Sequence, residues 1–189
     1  MINGNLTNLN VQTLFVSKEQ SICPLIPDIV RLGKKFKDLG LIEGTTTAVI
    51  SIKYGKRLII NGSSSNIGDI KIEDILEIVD YNPTKKIILA IGSKKPPIET
   101  PVHWLIHHTR DEVNAVIHLN SEKLAGILAK KLPTTEKEKP PEPFELAKEV
   151  LKILRTSKNL VIKNSGVLFV GNSLKKAEDS ALITLGESL

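Results

Sequence analysis

The sequence predicts an α/β domain in which a mixed sheet lies between helical layers. Two observations carry this reading. Runs rich in β-branched residues alternate with stretches of helical period, and the first strands are joined by tight turns instead of helices.

The elements follow in order. Residues 1–26 show no clear period and read as an irregular N-terminal segment. From Pro27, the residues Ile29, Val30, Leu32, Phe36 and Leu39 share one helical face, with Lys34, Lys35 and Lys37 opposite. Pro27 opens that helix and Gly40 closes it. Thr45–Lys53 is β-branched, and the turn Tyr54-Gly55-Lys56 leads into Arg57–Asn61, which makes a hairpin. Gly62–Asn66 is a polar loop. A helical turn at Ile72–Leu76 precedes a strand at Glu77–Tyr81, and a turn at Asn82-Pro83 precedes a strand at Lys86–Ile91.

Pro96-Pro97 stops that strand, and a helix is expected from Glu99 to Arg110. Val113–Leu119 is a continuous apolar run, as expected of a strand buried on both faces. Ser121 can cap a helix over Glu122–Lys131. Leu132–Pro143 is rich in proline and charge and reads as an exposed loop. A helix over Phe144–Leu154 follows. The strands Leu160–Lys163 and Val167–Gly171 then flank a kink at Asn164-Ser165-Gly166, and Ser173 caps a last helix that ends near Leu185.

The bulk numbers fit one domain over residues 1–189, with 41% apolar and 25% charged residues. Aromatics are 4%, so Ile, Leu and Val must fill the core. The net charge is +5, but the lysines are scattered or occur in pairs such as Lys85–Lys86 and Lys130–Lys131. No basic stripe interleaved with aromatics appears, which argues against a nucleic-acid partner. Cys23 is the single cysteine, which excludes an intrachain disulfide and a cysteine-based zinc site. The N-terminus shows no leader pattern and no apolar run could span a bilayer, so the expectation is a soluble cytoplasmic protein without a membrane partner.

Four places suggest chemistry. Glu99 opens a helix, where it could stabilise the first turn or serve as a general base in a cleft. His118 and Asn120 end the buried strand on one face, as strand ends in α/β proteins often carry functional groups. His103 and His107 lie four apart on the Glu99 helix. Such a pair can hold a metal, but without an HExxH pattern it reads as a surface or interface feature, as does His108. The hydroxyl runs Thr45–Thr47 and Ser63–Ser65 could bind an anion or simply shape turns.

Together these pieces resemble the class II aldolase/adducin family. The likeness runs from about Leu41 to Leu185. It rests on GTTTAVIS at 44–51, LIINGSSSNIGDI at 58–70, PPIETPVH at 96–103, DEVNAVIHLNS at 111–121 and NSGVLFVG at 164–171. The resemblance implies a three-layer α/β/α sandwich with a mainly antiparallel central sheet, assembled as a homo-oligomer, commonly a tetramer. It implies Glu99 as the catalytic acid/base and Thr46, Thr47, Ser63 and Ser64 as the substrate- or phosphate-binding residues. It also implies a divalent metal, usually zinc, held by three histidines, of which His118 matches the first.

The departures are as informative. Asn120 and Ser165 stand at the other two histidine positions, and an amide and a hydroxyl are poor zinc ligands. Pro97-Ile98 replaces a pair of serines before the glutamate. The family's phosphate-site asparagine falls at Ala48 or Val49. Two expectations follow from the resemblance. One is a metal-dependent aldolase or lyase acting on a small phosphorylated sugar or hydroxy-carbonyl compound. The other is a non-catalytic scaffold or small-molecule binder of the adducin-head kind.

Overall fold

The computed structural model describes residues 11–42, 46–63, 66–137 and 143–187. Its strands are β1 (Gln12–Ser17), β2 (Thr47–Tyr54), β3 (Arg57–Asn61), β4 (Ile75–Asn82), β5 (Ile87–Ile91), β6 (Ala115–Asn120), β7 (Asn159–Ile162) and β8 (Gly166–Gly171). Its helices are α1 (Ile26–Asp38), α2 (Thr100–Thr109), α3 (Glu122–Leu128), α4 (Pro143–Ile153) and α5 (Leu174–Gly186). The strands form one eight-stranded sheet in the order β1-β5-β4-β3-β2-β6-β8-β7. The outer pair β1–β5 is parallel and the remaining neighbours are antiparallel, so the sheet is mixed.

Helices cover both faces. Ile29, Leu32 and Phe36 of α1, Leu124 and Leu128 of α3, and Ala177, Ala181 and Leu185 of α5 pack on one face against Ile50, Ile117 and Phe169. On the other face, Val102 and Ile106 of α2 and Leu146 and Val150 of α4 pack against Val116, Leu168 and Val170. Beside them Trp104 of α2 covers Val49, Leu58 and Ile60. Strand alternation thus sends odd and even residues of β6 into different cores, which is why that strand reads as uniformly apolar.

Three sequence expectations need correction. The segment 1–26 is not irregular throughout, because Gln12–Ser17 forms the edge strand β1. Leu14 and Val16 point outward there, while Thr13 and Ser17 are half-buried. Apolar side chains on the solvent side erase the usual alternation. The loop from Leu132 is not wholly exposed either. Thr134 bridges Val161, and Thr135 is buried, with its amide donating to Val161 O at 3.0 Å. Residues 138–142 of that loop lie outside the described residues. The helix after Ser121 ends at Leu128, earlier than expected, although Ser121 caps it by accepting from the Leu124 amide.

Two positive-φ residues act where the sequence placed turns. Gly55, at φ +60, closes the β2–β3 hairpin, and Asn164, at φ +52, makes the kink between β7 and β8.

Candidate active site

The site forms where β6 ends and α2 begins. β6 is central, paired with β2 and β8. Register sets Asn120 opposite both Thr47 of β2 and Gly166 of β8. Thr46, Thr47, His118, Asn120 and Ser165 therefore gather at one end of the sheet. Gly166 permits this approach, since a Cβ there would lie 2.2 Å from Leu119 O.

Glu99 is the N-cap of α2, not its first helical residue, and is buried. The helix dipole favours a carboxylate there. Asn120 Nδ2 donates to Glu99 Oε1 at 3.1 Å, so strand end and helix start are joined through the expected acid/base group. Pro97 before it is buried and Ile98 is exposed. Ser63 lies in the turn after β3, exposed, with its amide donating to Lys95 O. Ser64, like Thr45, lies outside the described residues.

His103 and His107 are not surface residues: both are fully buried. The His103 ring lies near the His118 ring, with centroids 5.9 Å apart and planes 20° apart. His103 Nδ1 is 2.7 Å from Ser51 Oγ, and His107 Nε2 is 2.9 Å from the same oxygen. His107 Nδ1 faces Val113 O at 3.1 Å. Burial drives the His107 pKa down to about 4, against the hydrogen bond to Val113, which raises it. Burial, then the neighbouring His118 and His107, hold His103 well below the usual imidazole range. Both rings are neutral at pH 7. The sequence signal for this cluster was the i,i+4 spacing of Glu99, His103 and His107. Its partner Ser51 gave no signal, because a serine inside an apolar strand carries no distinctive pattern.

The three positions that the resemblance pairs with zinc do not fit it. They offer one imidazole, an amide whose nitrogen is committed to Glu99, and a hydroxyl. Catalytic zinc normally takes three ligands from imidazole, thiolate and carboxylate. Among the described residues no group of three or more His, Cys, Asp or Glu is placed to hold a metal ion.

A buried carboxylate at a helix start beside a strand-end imidazole, on this mixed sheet, defines a domain of the class II aldolase type. Residues 27–184 match the family model of the Class II Aldolase and Adducin N-terminal domain, and the chain belongs to that family. The L-fuculose phosphate aldolase of Haemophilus influenzae is 30% identical over 155 residues, spanning 74% of this chain and 68% of that protein. The L-fuculose phosphate aldolase of Methanocaldococcus jannaschii is 27% identical over 155 residues, spanning 80% and 71%. Among solved structures, an L-fuculose 1-phosphate aldolase superposes with a TM-score of 0.72 at 19% identity, covering 89% of this chain and 84% of that one. The N-terminal class II aldolase domain of a Thermoplasma acidophilum protein superposes at 0.64 with 18% identity, covering 90% and 94%. These structural likenesses speak to the fold. No helix among the described residues is long and apolar enough to cross a membrane.

Proposed function

We propose that this chain handles a small hydroxy-carbonyl compound of the phosphorylated-sugar class, with Glu99 as its proton-transfer group. The observation that carries the reading is the burial of Glu99 at the start of α2, beside the end of β6. A carboxylate there can take a proton from, or return it to, carbon next to a ligand carbonyl. Thr47 opens the neighbouring strand β2 and Thr46 precedes it, and with Ser63 and Ser64 they are the candidate phosphate contacts. The fuculose phosphate aldolases among the relatives support the ligand class. Because 118, 120 and 165 do not make a zinc site, no step is assigned to a metal held there. The protein is proposed to be cytoplasmic and to assemble with copies of itself, as a tetramer by resemblance, which light scattering at micromolar concentration would check.

The test is calorimetry with L-fuculose 1-phosphate and with dihydroxyacetone phosphate, together with an aldol-cleavage assay on L-fuculose 1-phosphate. Binding is expected, with Glu99→Gln lowering turnover by about 100-fold or more while affinity holds within a few-fold. Wild-type protein that binds neither compound would remove this reading.

A second reading has its own observation. The Asn120–Glu99 hydrogen bond occupies a carboxylate oxygen, and Pro97-Ile98 gives no hydroxyl to a phosphate. Both suit a non-catalytic, adducin-head-like scaffold or small-molecule binder. Ligand binding without turnover, unchanged by added zinc, would favour it.

A further inference from the structure

The two edges of the sheet are finished differently. At the β7 edge the chain after α3 seals the strand. Thr134 bridges Val161, the Val161 amide donates to Pro133 O at 2.9 Å, and the Thr135 amide donates to Val161 O at 3.0 Å. At the other edge β1 pairs with β5 alone. The Gln12 amide donates to Lys86 O at 2.8 Å, so Gln12, and Leu14 two residues on, turn their backbone groups toward β5. Thr13 and Phe15 therefore turn their amides and carbonyls outward, where no described strand meets them.

Open edges are normally guarded by charge, proline or an outward twist, because free backbone groups recruit other strands. β1 reads QTLFVS and holds no charge and no proline. Its one irregularity is the bulge between Phe15 and Ser17, which leaves residues 12–15 in unbroken register. The side chains about this edge are apolar. Leu14 is 43% exposed and Val16 is 63% exposed. Gln20 and Ser21 then carry the chain to Ile72 and Glu77, and both Ile22 and Ile72 are exposed at this corner. An uncovered apolar corner beside free backbone groups marks an interaction surface.

We propose that β1 pairs antiparallel with β1 of a second copy of this chain, about a two-fold axis at Leu14. Two features select that occupant. A chain of net charge +5 repels its copies, and this strand brings none of that charge to the contact. The strand also fits itself. With Leu14 opposite Leu14, Thr13 of one copy faces Phe15 of the other. Both already point their backbone groups outward, so each such pair exchanges both of its bonds. Gln12 then faces Val16. A two-fold contact closes on itself, so it joins two sheets without propagating into a fibre. This contact presupposes the assembly with copies proposed above and gives it a surface.

Full-length Leu14→Cys is oxidised in air and compared with Val16→Cys on a gel without reductant. Leu14 meets its own copy at the spacing of a non-hydrogen-bonded pair, about 4.5 Å between Cα atoms, which a disulfide can bridge. Val16 is more exposed but lies two residues off the axis, so its copies are roughly 14 Å apart. The native Cys23 is buried and does not compete. Leu14→Cys is expected to become a linked dimer about 10-fold faster than Val16→Cys, or more. Thr13→Pro removes an outward amide and leaves the pairing to β5 intact. It is expected to halve the mass seen by light scattering while circular dichroism stays native. Should Thr13→Pro not fold, the cysteine pair decides. A wild type that is monomeric at micromolar concentration overturns this contact and the assembly together. Wild-type oligomers with no preference for the Leu14 link, or with an unchanged mass in folded Thr13→Pro, overturn the β1 contact alone.

Discussion

Asn120 Nδ2 donates to Glu99 Oε1 at 3.1 Å, across 21 residues of sequence, and this bond joins the central strand to the start of α2. It is a neutral donor against a carboxylate in a buried place. Asn120→Asp would set two carboxylates at that distance, and they could not both be charged without repulsion. The variant is expected to lose about 1–3 kcal/mol of stability at pH 8 and to recover much of it at pH 5, as one carboxyl takes a proton. Urea midpoints at the two pH values check this. Equal losses at both would mean that the Glu99 and Asn120 side chains do not meet.

Ser51 is the only hydroxyl between two buried imidazoles in the relay. Ser51→Ala leaves His103 Nδ1 and His107 Nε2 without their partner, and neither ring can reach water. An expected cost of about 2 kcal/mol or more follows from stranding buried polar groups. Ser51→Thr, which keeps the hydroxyl, should cost less. Denaturant titration of the two variants separates loss of the hydroxyl from disturbance of β2.

How much of this was readable beforehand depended on the interaction concerned. The helix from Pro27 and the hairpin about Gly55 were readable because their signals are local: period, proline, glycine. The places of Glu99 at a helix start and of His118 near a strand end were readable because their neighbours in sequence carry a motif. Strand β1 was hidden, since its outward residues are apolar and its inward ones include Thr13 and Ser17. The burial of His103 and His107 was hidden for a related reason. It depends on Ser51, 52 and 56 residues away, and no local pattern reports a long-range polar contact.

Buried neutral histidines make stability depend on pH. An unfolded histidine titrates near 6.5, whereas His107 in the folded chain titrates at about 4 and His103 also lies far below its ordinary value. Between those values the unfolded chain takes up protons that the folded chain does not. Stability is therefore complete above pH 6.5 and falls as the pH drops toward 4, by about 3 kcal/mol from His107 alone. Urea midpoints from pH 7.5 to 4.5 should show this slope, and His107→Gln should flatten part of it. A flat profile between pH 7 and 5 would contradict the buried neutral state.

Gly166 tests the close approach that builds the strand end. A Cβ added there would sit 2.2 Å from Leu119 O and 3.1 Å from Asn120 Cα, both backbone atoms that cannot swing aside. Gly166→Ala should therefore push β8 from β6 just where Asn120 meets Glu99, costing about 1–3 kcal/mol by overpacking. Gly126→Ala is the control, since its Cβ would enter open space on a helix, where alanine is the better former. Thermal melts should show Gly166→Ala lowered and Gly126→Ala unchanged or raised.

Restoring the two imidazoles is the sharpest test of whether the strand ends converge. Asn120 pairs in register with Gly166, so side chains at 120 and 165 start one residue apart across neighbouring strands, and His118 lies two residues before on the same face. Asn120→His with Ser165→His would offer three imidazoles at that end and would release the amide from Glu99. The double variant is expected to gain zinc affinity by at least about 100-fold over the parent, because each added imidazole replaces a poor ligand. The single variant Asn120→His should gain less, since it adds one ligand only. Competition against a zinc indicator measures all three proteins. A double variant that binds no better than the parent would mean that 118, 120 and 165 do not point at a common center, whatever the register of their backbones.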